Sequence, residues 1–226
     1  VINKGMSNDK LKETEKKPQD KPDDNLGLNV SGHILIRDKE TGQELVNKRN
    51  AIHYGNMAYI VAQALTNADD AFIHYMAFGN GATSVDTAGK VVYKTPRVTE
   101  GYESGANLYS RTFAKPVSTD AENPVSERAT NKIDIINGVS YTDLKITCTL
   151  GYSEPSDADA FDSSVSNEGN YVFDELALFS KPTTPTGLWS TSIDTSAMLT
   201  HVIFHPVQKS KNRVIEVIYT IRIQLS

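Results

Sequence analysis

Cysteine is nearly missing from this chain: Cys148 is the only one in 226 residues. No intrachain disulfide can form, and no cysteine-based zinc site can be assembled. Cys148 falls in the alternation Leu144, Ile146, Cys148, Leu150, which predicts a small core residue and not a reactive thiol. No base or basic cluster lies near it in sequence to activate it. An excess of positive charge is missing too. Lysine and arginine number 23 against 28 aspartates and glutamates, a net charge of −5, so no basic stripe marks a nucleic-acid interface and none is expected. No apolar run approaches the length that crosses a bilayer, and no apolar signal core opens the sequence. The expectation is a soluble protein made in a reducing compartment, without a membrane partner; Met6 is a candidate start.

What is present divides into two unlike parts. Val1 to Asn25 holds six lysines and six carboxylates, is punctuated by Pro18 and Pro22, and has almost nothing apolar beyond Leu11. Such a segment cannot bury enough surface to offset the entropy of ordering itself. Residues 1–29 are therefore expected to be an extended, intrinsically disordered arm that orders only against partner chains. Residues 30–226 are expected to form one domain with a sizeable core.

The periodicity within that body is mostly two. Gly32 to Asp38 and Glu44 to Val46 read as a hairpin around the turn-rich Asp38 to Gly42. Further strands are predicted over Phe72 to Phe78, Asn107 to Phe113, Lys132 to Ile136, Tyr141 to Leu150, Tyr171 to Phe179 and His201 to Val207. The cleanest is Val214 to Leu225. Ile215, Val217, Tyr219, Ile221, Ile223 and Leu225 share one face, and Glu216, Thr220, Arg222 and Gln224 the other. A single helix is predicted over Tyr54 to Asn67, where Met57, Ile60, Val61, Ala64 and Leu65 make one apolar stripe. Gly79-Asn80-Gly81 reads as a turn that needs positive φ. The polar stretch from Ala82 to Asn131 and the segments Ser153 to Asn170 and Lys181 to Ala197 read as long, contact-making loops. The fold class is mainly β: an antiparallel β-sandwich or jelly roll with one principal helix.

No motif supplies catalysis. His201 and His205, four apart on a strand, point to one face but lack a third ligand at metal spacing. His53 and His74 read as structural histidines. Asp174 and Glu175 are the one carboxylate pair worth weighing for glycoside hydrolysis, but strand neighbours face opposite sides. No Gly-x-Ser-x-Gly elbow and no phosphate loop occur. Asp157, Asp159 and Asp162 lack the glycine and glutamate of a calcium loop. Tyr93, Tyr102, Tyr109 and Trp189 suit either a sugar or a protein neighbour. No catalytic, cofactor-binding or metal residue is assigned, and no cofactor is expected.

Three blocks together carry a resemblance. They are Ser31-Gly32-His33-Ile34 with Asn50-Ala51-Ile52-His53-Tyr54 and Asn56-Met57; Met76-Ala77-Phe78-Gly79-Asn80-Gly81-Ala82-Thr83; and Tyr171-Val172-Phe173-Asp174-Glu175-Leu176-Ala177-Leu178 followed by Leu199 to Ser210 and Asn212-Arg213. On these residues the chain resembles virion structural proteins of contractile-tailed bacteriophages related to the T4 group, over about Ser31 to Gln224. The resemblance implies a non-enzymatic component located in the virion and made in the host cytoplasm. Its contacts would run through the arm and the long loops to other virion proteins and copies of itself. Tail or baseplate is the favoured place; neck or capsid decoration is the alternative, and a carbohydrate-binding host-attachment module is a further one.

Overall fold

The computed structural model describes residues 27–68, 71–98, 106–119, 123–152, 154–155, 170–181 and 196–225. Within them lie twelve strands and one helix. The strands are β1 (Leu28–Asp38), β2 (Glu44–Arg49), β3 (Ala51–Ile52), β4 (Ile73–Gly79), β5 (Thr83–Val85), β6 (Val91–Tyr93), β7 (Arg111–Pro116), β8 (Lys132–Asn137), β9 (Tyr141–Leu150), β10 (Asn170–Ser180), β11 (Thr200–Ser210) and β12 (Ile215–Leu225); α1 is Tyr54–Leu65. The first sheet runs β2-β1-β12-β9-β8, the second β3-β11-β10-β4-β7, and β5 pairs with β6 in a small third sheet. All pairings are antiparallel, and the two large sheets pack as a sandwich. The chain is mainly β, as its periodicity predicts.

Period-two patterning explains the first sheet. Register places Ile34, Tyr219, Ile146 and Ile133 in one row across four strands, and Ile36, Val217 and Cys148 in the next. A one-residue slip would turn every one of these side chains to solvent, so the pattern fixes the register. Val202, Phe204, Val207, Phe173, Leu176, Leu178, Met76 and Phe78 face them from the second sheet in a single core. Cys148 is fully buried there, and burial pushes its thiol up to about 12. The last strand lies in the middle of its sheet. Its alternation holds from Ile215 to Ile221 and then weakens: Leu225 is 61 % exposed.

Three expectations need correction. The apolar stripe of the helix is covered only over its first half. Met57 and Ile60 are buried, but Val61 is half-buried, Ala64 is exposed and Leu65 is 84 % exposed. The helix reaches past the edge of the packed sandwich. The long stretch after Ala82 also holds strands β5 and β6, each three residues long and too short for periodicity to mark. Residues 1–26 of the expected arm, the acidic aspartates at 157, 159 and 162, Tyr102 and Trp189 lie outside the described residues; Leu28 and Asn29, placed in the arm by the sequence, instead begin β1 and pair with Leu225 and Gln224.

Candidate functional site

Asp174 and Glu175 do not face opposite sides. Phe173 and Leu176, three residues apart, both belong to the core, which strict alternation forbids. The β10–β11 register shifts between Phe173 and Glu175. A bulge there absorbs the extra residue and turns both carboxylates away from the core, toward the same loops. Both are buried.

Each carboxylate ties down backbone. Asp174 accepts from the Ala82 N–H at 3.1 Å, the Thr83 N–H at 2.8 Å and the Thr83 hydroxyl. Glu175 accepts from the Tyr109 N–H at 3.0 Å, the Ser110 N–H at 2.9 Å and, more weakly, the Gly81 N–H at 3.3 Å. Burial pushes the Asp174 carboxyl up, against the pull of its Thr83 and Ala82 bonds. In Glu175 the burial penalty is outweighed by the hydrogen bonds from His201, Ser110 and Tyr109, and its carboxyl is held below the usual range.

His201 completes the cluster, fully buried, with Nε2 3.0 Å from Glu175 Oε2. Its Nδ1 accepts the Arg97 N–H at 2.9 Å. That second bond sets the tautomer: the proton sits on Nε2 and is donated to Glu175, so the imidazole is neutral. A His–carboxylate pair in a catalytic triad needs its other nitrogen free to take a proton from a nucleophile. Here that nitrogen is occupied by backbone. The cluster has the composition of a catalytic dyad and the wiring of a structural latch.

The glycines opposite the latch serve close approach. Neither Gly79 nor Gly81 has positive φ, which corrects the turn expected from sequence; positive φ occurs at Gly42 and Gly89 instead. A Cβ on Gly79 would stand 2.5 Å from Glu175 Oε1, and one on Gly81 would stand 2.7 Å from the Ser110 Cβ. Only glycine lets the 79–83 segment lie flat on the carboxylates and on Ser110.

The other candidates disperse. His205 shares a strand with His201 but is exposed, its Nδ1 3.2 Å from the Tyr93 hydroxyl. His53 caps α1, its Nδ1 accepting the Asn56 N–H. His74 bonds Ser118 Oγ at 2.7 Å between the rings of Phe72 and Tyr75. Among the described residues no three His, Cys, Asp or Glu side chains are grouped to hold a metal. The Tyr109 ring is covered by Lys94 Nζ at 4.4 Å and Arg97 at 5.4 Å, so it is not a free platform for a sugar. No described helix is long and apolar enough to cross a membrane, which says nothing about a β-barrel.

Two concave features were not read from the sequence. On the outer face of the first sheet, Asn29, Ser31, His33, Arg49, Thr220 and Arg222 line a polar groove of about 620 Å³. Between α1 and the inner face of the same sheet lies an open apolar cleft of about 710 Å³. Ile135, Leu144, Ile221 and Ile223 form its floor, and Met57, Ile60, Val61 and Ala64 one wall. The helix stripe was legible beforehand; its lack of cover was not.

The chain matches no family model, no curated protein and no solved structure.

Proposed function

We propose that this protein is a non-enzymatic structural component of a tailed-phage virion, acting through assembly contacts. Tail or baseplate is the favoured location, ahead of neck or capsid decoration. The observation that carries the reading is the latch. Among the described residues, the buried cluster of Asp174, Glu175 and His201 spends its hydrogen bonds on backbone N–H groups, the Thr83 hydroxyl and the His201–Glu175 pair itself. Two of the three blocks that carry the resemblance contribute to it directly: the 79–83 segment sits on Asp174 and Glu175, and His201 on Glu175. An apolar cleft left open on the described surface adds a contact face of the kind partners cover. The test is a particle made without the chain. Expected are particles missing a part or arrested in assembly, with immunogold against the chain marking its place. Complete particles that adsorb normally but fail at a chemical step would overturn the proposal.

The polar groove favours a second reading, a carbohydrate-binding host-attachment module. Arginine, asparagine, histidine and hydroxyl groups line it, and Arg222 lies 3.8 Å over the Tyr141 ring beside it. A glycan array with the purified chain decides. Binding abolished by Arg49→Ala supports this reading, and no binding removes it.

A further inference from the structure

A third, smaller concavity sits at the edge of the sandwich, where β2 of the first sheet meets β3 and β11 of the second. The run from Tyr93 to Pro96 forms its remaining wall. Its volume is about 130 Å³, and nine residues line it. Three of them are Lys48, Arg49 and Lys94, and none is an acid. Glu175, which holds His201 Nε2, does not line it.

The cations are fixed in place without being neutralised. Lys48 Nζ donates to the Ile203 carbonyl at 2.7 Å, and Lys94 Nζ to the Gly81 carbonyl at 2.6 Å. An ammonium has three donors, so each keeps two. Among the described residues none of the three cations forms an ion pair, whereas on the outer face of the first sheet Arg37 is matched by Glu216 and Arg222 by Asp143. In a chain of net charge −5, three unmatched cations around one small hollow are a local reversal of sign. Their mutual repulsion is relieved when an anion enters.

The walls are set beforehand. The Arg97 N–H donates to His201 Nδ1 at 2.9 Å, and the Tyr93 hydroxyl lies 3.2 Å from His205 Nδ1, so the 93–97 run is tied to β11. A site fixed in this way loses little entropy when it is filled.

Arg49 lines this pocket and the polar groove alike. Along the groove Arg49 stands opposite His33, His33 opposite Thr220, and Ser31 opposite Arg222. The Arg222 guanidinium is spent on both oxygens of Asp143, each at 2.8 Å. The groove therefore offers hydroxyl, amide and imidazole groups with little unmatched charge beyond Arg49. The pocket offers charge and little room. The first set suits hydroxyls, and the second suits a single oxyanion. A charged sugar carries both.

We propose that groove and pocket form one site for an acidic saccharide. Its hydroxyls lie along the groove, and a carboxylate, sulfate or phosphate group on the sugar sits among Lys48, Arg49 and Lys94. The inference rests on the carbohydrate-binding reading of the groove and narrows it to charged saccharides.

The experiment titrates the full-length chain with three pairs of probes: oligogalacturonate and its methyl ester, a sulfated galactan and its desulfated form, and a phosphorylated mannan and its dephosphorylated form. The pairs tell the three anions apart. Expected is a charged probe bound about tenfold more tightly than its uncharged counterpart. That advantage should vanish in 1 M salt, where charges are screened within about 3 Å. Neither Lys48 nor Lys94 lines the groove. Lys48→Gln and Lys94→Gln should each remove most of the advantage and leave the uncharged probe unaffected, while Lys48→Arg keeps it. Thermal unfolding checks each variant, and Lys94→Gln carries the test if Lys48→Gln does not fold. Charged probes bound no better than uncharged ones would overturn the inference and leave the carbohydrate reading standing. No binding of any probe would remove both. A charge preference that survives both glutamine variants would also overturn the inference. So would a charged probe bound by a Glu100→Gln/Glu103→Gln variant and not by the parent, which would assign the pocket to the chain's own acids.

Discussion

The latch ties β10 and β11 of the second sheet to the loops at 81–83 and 109–110, while the cleft opens between α1 and β8, β9 and β12 of the first; one is closed by polar bonds and the other is open and apolar. At the latch every buried charge has a partner reached through the fold: Glu175 finds Tyr109, Ser110 and His201. At the cleft the chain supplies apolar side chains on both walls and, among the described residues, nothing between them. The contrast separates what holds the fold together from what it offers to others. Changes at the latch should cost the isolated protein dearly. Changes at the exposed rim of the cleft, Leu65 and Ile135, should cost it almost nothing and be felt only in an assembly.

The largest effect is expected from Glu175→Ala. It strands the His201 Nε2–H and the N–H groups of Tyr109 and Ser110 in a buried site, at a cost of about 4 kcal/mol. Urea unfolding measures it. A loss below about 1 kcal/mol would mean that water replaces the carboxylate and that the latch is not structural.

Two buried lysines give the next pair. Lys115 meets Glu154 at 2.8 Å, Glu127 at 3.0 Å and the Thr149 carbonyl at 3.0 Å. Burial alone would lower its pKa, but these carboxylates raise it overall. Lys115→Met should destabilise by about 3 kcal/mol, because it leaves two acids without their cation. Lys209 is fully buried with one bond, to the Ser210 carbonyl at 3.2 Å, and burial lowers its pKa to about 8. The sign is opposite. Between pH 8 and the ordinary lysine range near 10.5 the unfolded chain binds more protons than the folded one. Stability from this group therefore rises with pH through that window, and the penalty is fully present below it. Lys209→Met should stabilise at neutral pH by about 1 kcal/mol and flatten the rise. Thermal unfolding at pH 7 and pH 9.5 checks both, and a Lys209→Met variant less stable at pH 7 would contradict the assignment.

Gly81→Ala comes next, at about 1–2 kcal/mol, because its Cβ meets Ser110 where the latch holds both segments. Hydrogen exchange should show the loss confined to 79–83 and 109–110. Leu65→Glu, at the exposed end of α1, should stay within about 0.5 kcal/mol of the parent. A large loss there would mean the helix end is already covered in the isolated chain, and the comparison between the two sites would fail.

Much of the fold was legible. The run from Ile215 to Ile221 alternates so regularly that only a sheet core can satisfy it, and Tyr141 to Leu150 is matched residue for residue by β9. The helix stripe at Met57 and Ile60 was equally plain. The latch was not. Phe173 and Leu176 look out of phase until the β11 register reveals the bulge, and Glu175 then joins Asp174 on the outer side. The glycines at 79 and 81 pointed to a turn, and only the neighbouring Ser110 and Glu175 reveal that the requirement is space. The sole sequence signal was the company these residues keep in the resemblance blocks.

By itself the sequence determined the period of each strand, the single helix, the burial of Cys148 and the division between a polar arm and a patterned body. These depend on side chains a few residues apart, whose spacing is a property of the chain. Tertiary structure alone decided that Glu175 and His201 meet, that Lys115 is satisfied while Lys209 is not, and that the helix outruns its cover. Each of those depends on which strands become neighbours and in what register. A hydrogen bond or an uncovered face between distant segments has no local spacing to announce it.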